Sequence, residues 1–387
     1  MSGRKGKGQR ISSHGRASQG GSVTETPPGI AATHRPRDGF SHMKLSQISE
    51  LYLLDQIRKG FPQKVRNIAV GIGDDAAVIN PPREHLLVTT DMMIEGVHFD
   101  LRFVMPFQLG FKLISVNVSD IYAMGGKPFC CLLNVAVGRN MRAEFVEKLF
   151  DGVREAMGLY HTALVGGDLS AADRVSLSAT LIGHAEKYIT RSGAKAGDRI
   201  YVTGTLGDSA CGLEVLKRVG ENIPIQQTAG GEARRTKSSD AVLSKLARLG
   251  LKYEMVDRLL RRHLMPEARE PAGFVKCATS MIDVSDGLLI DLSRLCDESK
   301  VGARIYAENV PLSPQLKSVA SRLGISALEL ALSGGEDYEL LFTAPRGKRI
   351  NAAYIGDMTE SGRVIVDSRG KERSFTAKGY QHFGRAQ

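Results

Sequence analysis

From residue 43 onward, short apolar runs alternate with amphipathic stretches, and that alternation restricts the chain to mixed α/β folds. "HLLVTTD", "CLLNVAV" and "VSLSATLIGHA" are short and rich in β-formers, which predicts strands. "PFQLGFKLISVNVSDIYAMGG" predicts a helix with Pro106 near its start and a glycine pair closing it. "AEFVEKLFDGVREAMGLY" predicts an amphipathic helix. "RIYVTGTLGDSACGLEVLKRV" and "SMIDVSDGLLIDLSRLC" share one plan: strand, small-residue turn, helix. Between these groups, "RSGAKAGDRI" is polar and glycine-punctuated, which predicts a domain boundary near 187–197. The expected organisation is an N-terminal domain over 43–187 and a C-terminal α/β domain over 188–387. A chain of 387 residues has ample length for two such cores.

The first 42 residues are rich in Gly, Ser, Arg and Pro and poor in large apolar side chains, a composition that predicts disorder. Met43 opens the first helical pattern, "MKLSQISELYLLDQI", and is a candidate for the true start of the protein. The net charge of +10 invites a nucleic-acid reading, but its distribution argues against one. Residues 1–44 and 217–262 each carry a net +6, which leaves −2 for everything else. Residues 217–262 read as a basic insert with a mobile loop at "QQTAGGEARRTKSSD". Five cysteines without a CxxC pair argue against a disulfide framework and for a reducing cytoplasm. No run of 18 apolar residues exists, so no membrane span is expected.

The chemistry lies in a recurrent kind of site, an aspartate beside Gly, Ser or Thr at the end of an element. The set is "GIGDDA" (Asp74, Asp75), "TTDMM" (Asp91), "NVSDI" (Asp120), "GGDLS" (Asp168) and "IDVSDGL" (Asp283, Asp286). Each has an ordinary alternative. Asp91, leaving a strand, can cap a helix, as can Asp283 or Asp286. Asp120 can lie on a solvated helix face, and Asp168 can belong to a plain turn. Gathered together, these carboxylates repel one another unless cations intervene. Hard divalent ions such as Mg²⁺ take oxygen ligands and bridge phosphates, which suits phosphoryl transfer. Thr89, Thr90 and Ser285 add neutral oxygens. Arg191 and the turn Gly204–Gly212 offer cationic and N–H contacts to phosphate. His98 reads equally as a substrate contact or a structural histidine. "SGGEDYELLF" sets Glu336, Asp337 and Glu339 ahead of an apolar strand, either as a ligand-facing turn or as a surface strand start.

"GIGDDAAVI", "TTDMMIEGVHF", "VNVSDIYAMGGKP", "GGD", "TRSGAKAGDRIYVTGTLGDSACGL", "IDVSDGLLIDL", "LSGGEDYELLFT" and "KGYQHF" together resemble the motif series of thiamine-monophosphate kinases, in that family's order and over nearly all of residues 43–387. The resemblance implies the two-domain fold of aminoimidazole ribonucleotide synthetase, neither P-loop nor Rossmann. It also implies a homodimer formed through the N-terminal sheet. It further implies ATP-dependent phosphorylation of thiamine monophosphate with several Mg²⁺ ions. Position by position it implies metal ligands at Asp75, Thr89, Thr90, Asp91, Asp120, Asp168, Asp283 and Asp286, with Asp75, Asp120 and Asp286 central to catalysis. ATP contacts fall on Gly167, Asp168, Arg191 and Ser285, and substrate contacts on His98, Glu336 and Tyr380. The role of Asp74 stays open. "GGDLS" departs from the family's "GGDTT", and the 217–262 segment is longer and more basic than the family's. Rival readings are another ATP-dependent enzyme of the same superfamily and a basic nucleic-acid-binding protein.

Overall fold

Two open sheets drawn from separate stretches of chain are joined through one buried helix. The computed structural model describes residues 42–62, 64–72, 76–80, 83–225, 237–376 and 379, all within the compact unit Gly39–Gln387. The predicted disorder of residues 1–42 and the loop at 226–236 therefore fall, but for His42, outside the described residues.

The N-terminal part opens with a 3₁₀ turn (Leu45–Gln47), helix α1 (Glu50–Lys59) and a small ribbon of β1 (Ile68–Val70) with β2 (Val78–Ile79). Next come β3 (His85–Ile94), α2 (Pro106–Ala123), β4 (Lys127–Val137), α3 (Ala143–Tyr160), β5 (Ala163–Ala171) and β6 (Ser176–Ala185). Their sheet has the order β3-β6-β4-β5. Only β4–β5 is parallel, because α3 supplies the crossover that such a pair needs.

The C-terminal part runs β7 (Arg199–Val202), α4 (Asp208–Val219), α5 (Lys237–Arg248), α6 (Tyr253–Leu264), β8 (Ser280–Asp283), α7 (Leu288–Ser299) and β9 (Gly302–Tyr306). It ends with α8 (Pro314–Leu323), α9 (Ala327–Ser333), β10 (Leu340–Ala344), β11 (Ala353–Thr359), β12 (Arg363–Val366) and β13 (Glu372–Ser374). The seven-stranded order is β13-β12-β9-β11-β7-β10-β8. One face packs Ile200, Ile282, Ile305, Leu341 and Ile355 against Leu288, Leu292 and Leu295 of α7. Under the opposite face Phe274 stacks on Phe342 at 4.1 Å between centroids.

Helix α2 organises the site. Fifteen of its 18 residues are buried, including Lys112, Asn117 and Ser119, so it is apolar on nearly every side as a core helix must be. It crosses α3 at a pair of glycines. A Cβ on Gly152 would stand 1.8 Å from Phe107 O, and one on Gly110 would stand 2.0 Å from Leu149 O. Only glycine permits that approach. The paired cysteines Cys130 and Cys131 are both fully buried as expected, and burial pushes the Cys130 thiol up to about 11.

Packing refines two expectations. Where it is described, the basic insert at 217–262 does not stand apart from the core. Val256, Leu259, Leu260 and Leu264 of α6 are buried in the main core, and "KSSD" already belongs to α5. Charge dominates the composition there, but the apolar residues recur at helical spacing and fix α6 in place. Nor does Asp168 sit on a turn. Gly166, Gly167 and Asp168 lie within β5, where a Cβ on Gly167 would stand 1.9 Å from Leu133 O of the neighbouring strand.

Candidate active site

Strand β3 carries Thr89 and Asp91 on alternate residues, so both face the layer covered by α2. Asp91 does not leave the strand as expected, because β3 runs three residues further, to Ile94. Asn117 of α2 accepts the Asp91 N–H at 3.2 Å and donates its own amide to Leu113 O at 2.9 Å. Thr89 donates its hydroxyl to Asp120 Oδ2 at 2.6 Å. The preceding residue, Ser119, points toward the other sheet and donates to Asp283 Oδ2 at 2.7 Å. Adjacent residues of a helix diverge by about 100°, so one turn of α2 can hold carboxylates from both sheets.

The electrostatics are those of crowded acids. Burial first, then Asp120 and Asp286, push Asp91 up to about 7. Burial also raises Asp120, while the Thr89 hydroxyl and the Arg191 guanidinium oppose the rise. Asp283, 4% exposed, is raised well above the usual range by burial and then by Asp120, with the Ser119 bond opposing. Asp286 pairs with Arg294 at 2.7 Å. Asp291, behind it on α7, is raised to about 6 by burial although Arg294 opposes.

The "SGGEDYEL" loop runs beside the Asp283–Asp286 turn. Glu336 donates its N–H to Ser285 O at 2.7 Å, and Tyr338 donates to Val284 O at 2.9 Å. Both residues take left-handed backbone, φ 64° and 50°, at about 1–2 kcal/mol each for a residue bearing a Cβ. Ion pairing and burial hold them there. Glu336 meets buried Lys112 at 2.7 Å and His263 at 3.2 Å. Burial would raise the Glu336 carboxyl, but Lys112 and His263 outweigh it and hold it far below the usual range. Burial and then Lys112 depress His263, while Glu336 opposes that shift. Tyr338 is buried, and its phenol is raised well above its ordinary range by burial, then by Glu336, Asp91, Asp283 and Asp120. Asp337 and Glu339 are fully buried, so this is no surface strand start. Asp337 accepts the N–H groups of Gly207 and Ser209, and Glu339 is held by Thr203, Arg262 and Arg269.

The structure thus gathers Thr89, Asp91, Asp120, Asp283, Asp286 and Ser285 around one end of α2, with Glu336 across the loop and Arg191 bearing on Asp120. It does not bring Asp168 or Gly167 to them within one chain. Asp168 lies on β5 at the far edge of the sheet, three strand spacings or roughly 14 Å from β3. It shares the row of Asn134, Ser178 and Met92 and projects from the open face. Thr90 is on that open face too, donating to Ala179 O at 3.1 Å. The Nδ1 atom of His98 accepts the Ile94 N–H at 3.0 Å, a structural bond that fixes its ring. The turn Gly204–Gly212 differs from expectation, since the Gly207 and Ser209 amides are already bound by Asp337. Asp74, Asp75 and Tyr380 lie outside the described residues, although Gly379 rests against the Asp286 carbonyl. Sequence reasoning missed Lys112, Ser119, Tyr338, Asp291 and Arg294. Polar residues such as Lys112 and Ser119 inside an otherwise apolar helix were the available signal.

Among the described residues, no three His, Cys, Asp or Glu side chains already stand as a metal-binding group. The donor chemistry nonetheless fits a hard divalent cation. The groups are carboxylate and hydroxyl oxygens, and burial plus mutual repulsion raises the acids until opposite charge is supplied.

The chain matches the family described as AIR synthase related protein, N-terminal domain, over residues 73–185. It matches the corresponding C-terminal domain over residues 195–368. A thiamine-monophosphate kinase of Aquifex aeolicus (strain VF5) is 37% identical over 350 residues, covering 88% of this chain and 100% of that protein. Among solved structures, AaThiL complexed with AMPPCP and TMP superposes with a TM-score of 0.64 at 34% identity, covering 88% of this chain and 99% of that one. The thiamine-monophosphate kinase of Stenotrophomonas maltophilia K279a gives 0.67 at 31%, covering 82% and 96%.

Proposed function

This chain belongs to the thiamine-monophosphate kinases of the AIR synthase related family, and on that premise we propose how it performs ATP-dependent phosphorylation of thiamine monophosphate. A phosphate oxygen of thiamine monophosphate attacks the γ-phosphorus of ATP in line, the bond to the β-phosphate oxygen breaks, and thiamine diphosphate and ADP result. The nucleophile is already ionised, so no strong general base is needed. The obstacle is repulsion between anions, about 4 kcal/mol for two unit charges 4 Å apart at an effective dielectric of 20. Asp91, Asp120, Asp283 and Asp286, with Asp75 and the Thr89 hydroxyl, would hold Mg²⁺ within one chain, and Asp168 and Thr90, on the open face, would join them only at an interface with a second copy. When bound, Mg²⁺ neutralises phosphate charge and aligns the two oxygens. Thr89 and Ser119 orient the carboxylates, Arg191 and Ser285 serve ATP, and Gly167 allows close backbone approach. Glu336, kept ionised by Lys112, attracts the cationic thiazolium of the substrate, with His98 and Tyr380 completing that side.

The single observation that carries this reading is the convergence of buried, mutually repelling aspartates from both sheets on one turn of α2. Coupled ADP release should depend on thiamine monophosphate and fall by orders of magnitude in Asp120→Asn. Turnover without that substrate, or full activity in the variant, would sink the reading. Trapping a phosphorylated protein intermediate would contradict direct transfer.

The finer organisation is part of the same proposal. Domains span 43–187 and 188–387. The sheet's open face exposes Leu86, Val88, Met92 and Leu132, a patch of the kind that marks an interface. A second copy docked there forms a homodimer and can carry its Asp168 toward the Thr90–Asp91 edge. Five cysteines, four of them buried, fit a reducing cytoplasm. No described helix is long and apolar enough to cross a membrane.

A further inference from the structure

Asp291 has no part in the transfer itself, yet it is fully buried within five residues of Asp286. Its Oδ2 atom accepts the N–H groups of Ser285, Asp286 and Gly287, each at 3.1 Å. Its Oδ1 atom meets Arg294 Nη1 at 2.7 Å, and the same Nη1 reaches Asp286 Oδ2 at 2.7 Å. Three consecutive amides converging on one oxygen form an anion nest, filled here by the chain's own carboxylate. Capping a helix needs one such bond. Three bonds fix the orientation of three successive peptide units, and the Arg294 bridge fixes the Asp286 side chain as well. Gly287, at φ 126°, supplies the backbone that lets the turn close over that oxygen.

We propose that Asp291 is the positioning residue that sets the Ser285–Gly287 turn so that Asp283 and Asp286 can take a divalent cation together. The inference rests on the Mg²⁺ reading above. Asp291 acts not as a ligand but through the amides of the turn and through the Arg294 bridge to Asp286. Removing it leaves three amides to find other partners and lets the turn rotate.

The test is a Mn²⁺ titration of the full-length protein with a non-hydrolysable ATP analogue, following free Mn²⁺ by electron paramagnetic resonance, which needs no turnover. Asp291→Ala should raise the Mn²⁺ dissociation constant about 10–100-fold, the usual effect of losing a residue behind a metal ligand. Asp291→Asn retains an oxygen for the amides and should stay within about threefold of wild type. If the alanine variant fails to fold, Asp291→Ser, which keeps a hydroxyl without its reach, should show the tenfold or greater loss in its place. A lowered melting temperature with unchanged Mn²⁺ affinity would make Asp291 merely structural and overturn the proposal. An asparagine variant as weak as the alanine one would overturn it as well. Failure of the underlying reading shows separately, as a wild-type protein that binds no Mn²⁺ or releases no ADP in response to thiamine monophosphate.

Discussion

Lys112→Met tests whether the buried link between α2 and the "SGGEDYEL" loop holds the two parts of the molecule in register. Lys112 is 5% exposed at the side chain and lies 2.7 Å from Glu336 Oε1, while Glu336 is 29% exposed. Breaking a fully buried pair from one side costs about 3–5 kcal/mol, and an exposed pair about 0–1. The intermediate exposure of Glu336 and its remaining bond to His263 set the expectation near 2 kcal/mol at pH 7. For a large chain that is about 4 °C in melting temperature. Methionine keeps the volume, so cavity formation does not contribute. The sign with pH follows from Glu336, whose folded carboxyl is held below its unfolded value. Its stabilisation is complete above the ordinary carboxylate value of 4.5 and is lost as pH falls toward the depressed folded value. The gap between wild type and Lys112→Met should therefore be full at pH 7 and shrink in acid. Thermal melts of wild type, Lys112→Met, Glu336→Gln and the double variant at several pH values give the coupling directly. A single variant melting within 1 °C of wild type at pH 7, or a gap that widens in acid, would refute the reasoning.

Gly152→Ala puts a methyl group against Phe107 O at the α2–α3 crossing and should cost about 3 kcal/mol or more, read as a lower urea midpoint, since the obstacle is backbone. Thr89→Val removes the donor to Asp120 Oδ2 and should lower kcat/KM for ADP release about 10–100-fold, whereas Thr89→Ser, which keeps the hydroxyl, should restore most of it. Chelation with EDTA should abolish turnover, and added Mg²⁺ should restore it without refolding, which far-UV circular dichroism during the cycle would check. If Asp168 serves the site of a second copy, unfolding and refolding a mixture of Asp91→Ala and Asp168→Ala chains should recover activity that neither variant shows alone. An inactive mixture that still contains heterodimers would exclude that arrangement.

The local elements could be read from the chain because local rules decide them. Pro106 opens α2 and Ala143–Tyr160 forms α3 as its periodicity requires. The crowding of Asp91, Asp120 and Asp283 could also be anticipated, because so many carboxylates next to Gly, Ser and Thr raise the question of what offsets their repulsion. Two errors share a cause. "TTDMM" and "VGGDLS" carry turn-forming residues, but strand pairing over β3 and β5 overrides those preferences. Neither a bond from β3 to β6 nor a glycine needed against Leu133 O leaves a mark within the motif itself.

What could not be read is how the two sheets meet. Ser119 and Asp120 are neighbours in sequence, yet one serves Asp283 of the C-terminal sheet and the other Thr89 of the N-terminal sheet. That division requires α2 to lie between the sheets, which in turn requires the glycine contact with α3 and the burial of Lys112 against Glu336. The left-handed backbone at Glu336 and Tyr338 belongs to the same arrangement. Neither residue type favours that conformation. The loop adopts it because Ser285 O and Val284 O take its amides while Lys112 takes the Glu336 carboxylate. The strain and the buried charge thus sit on a loop that touches both α2 and the Asp283–Asp286 turn. The depression of Glu336 and the elevation of Asp283 are then two sides of one placement. Lys112 pairs with the first, and among the described residues no ion pair reaches the second, which is where a cation has most to gain.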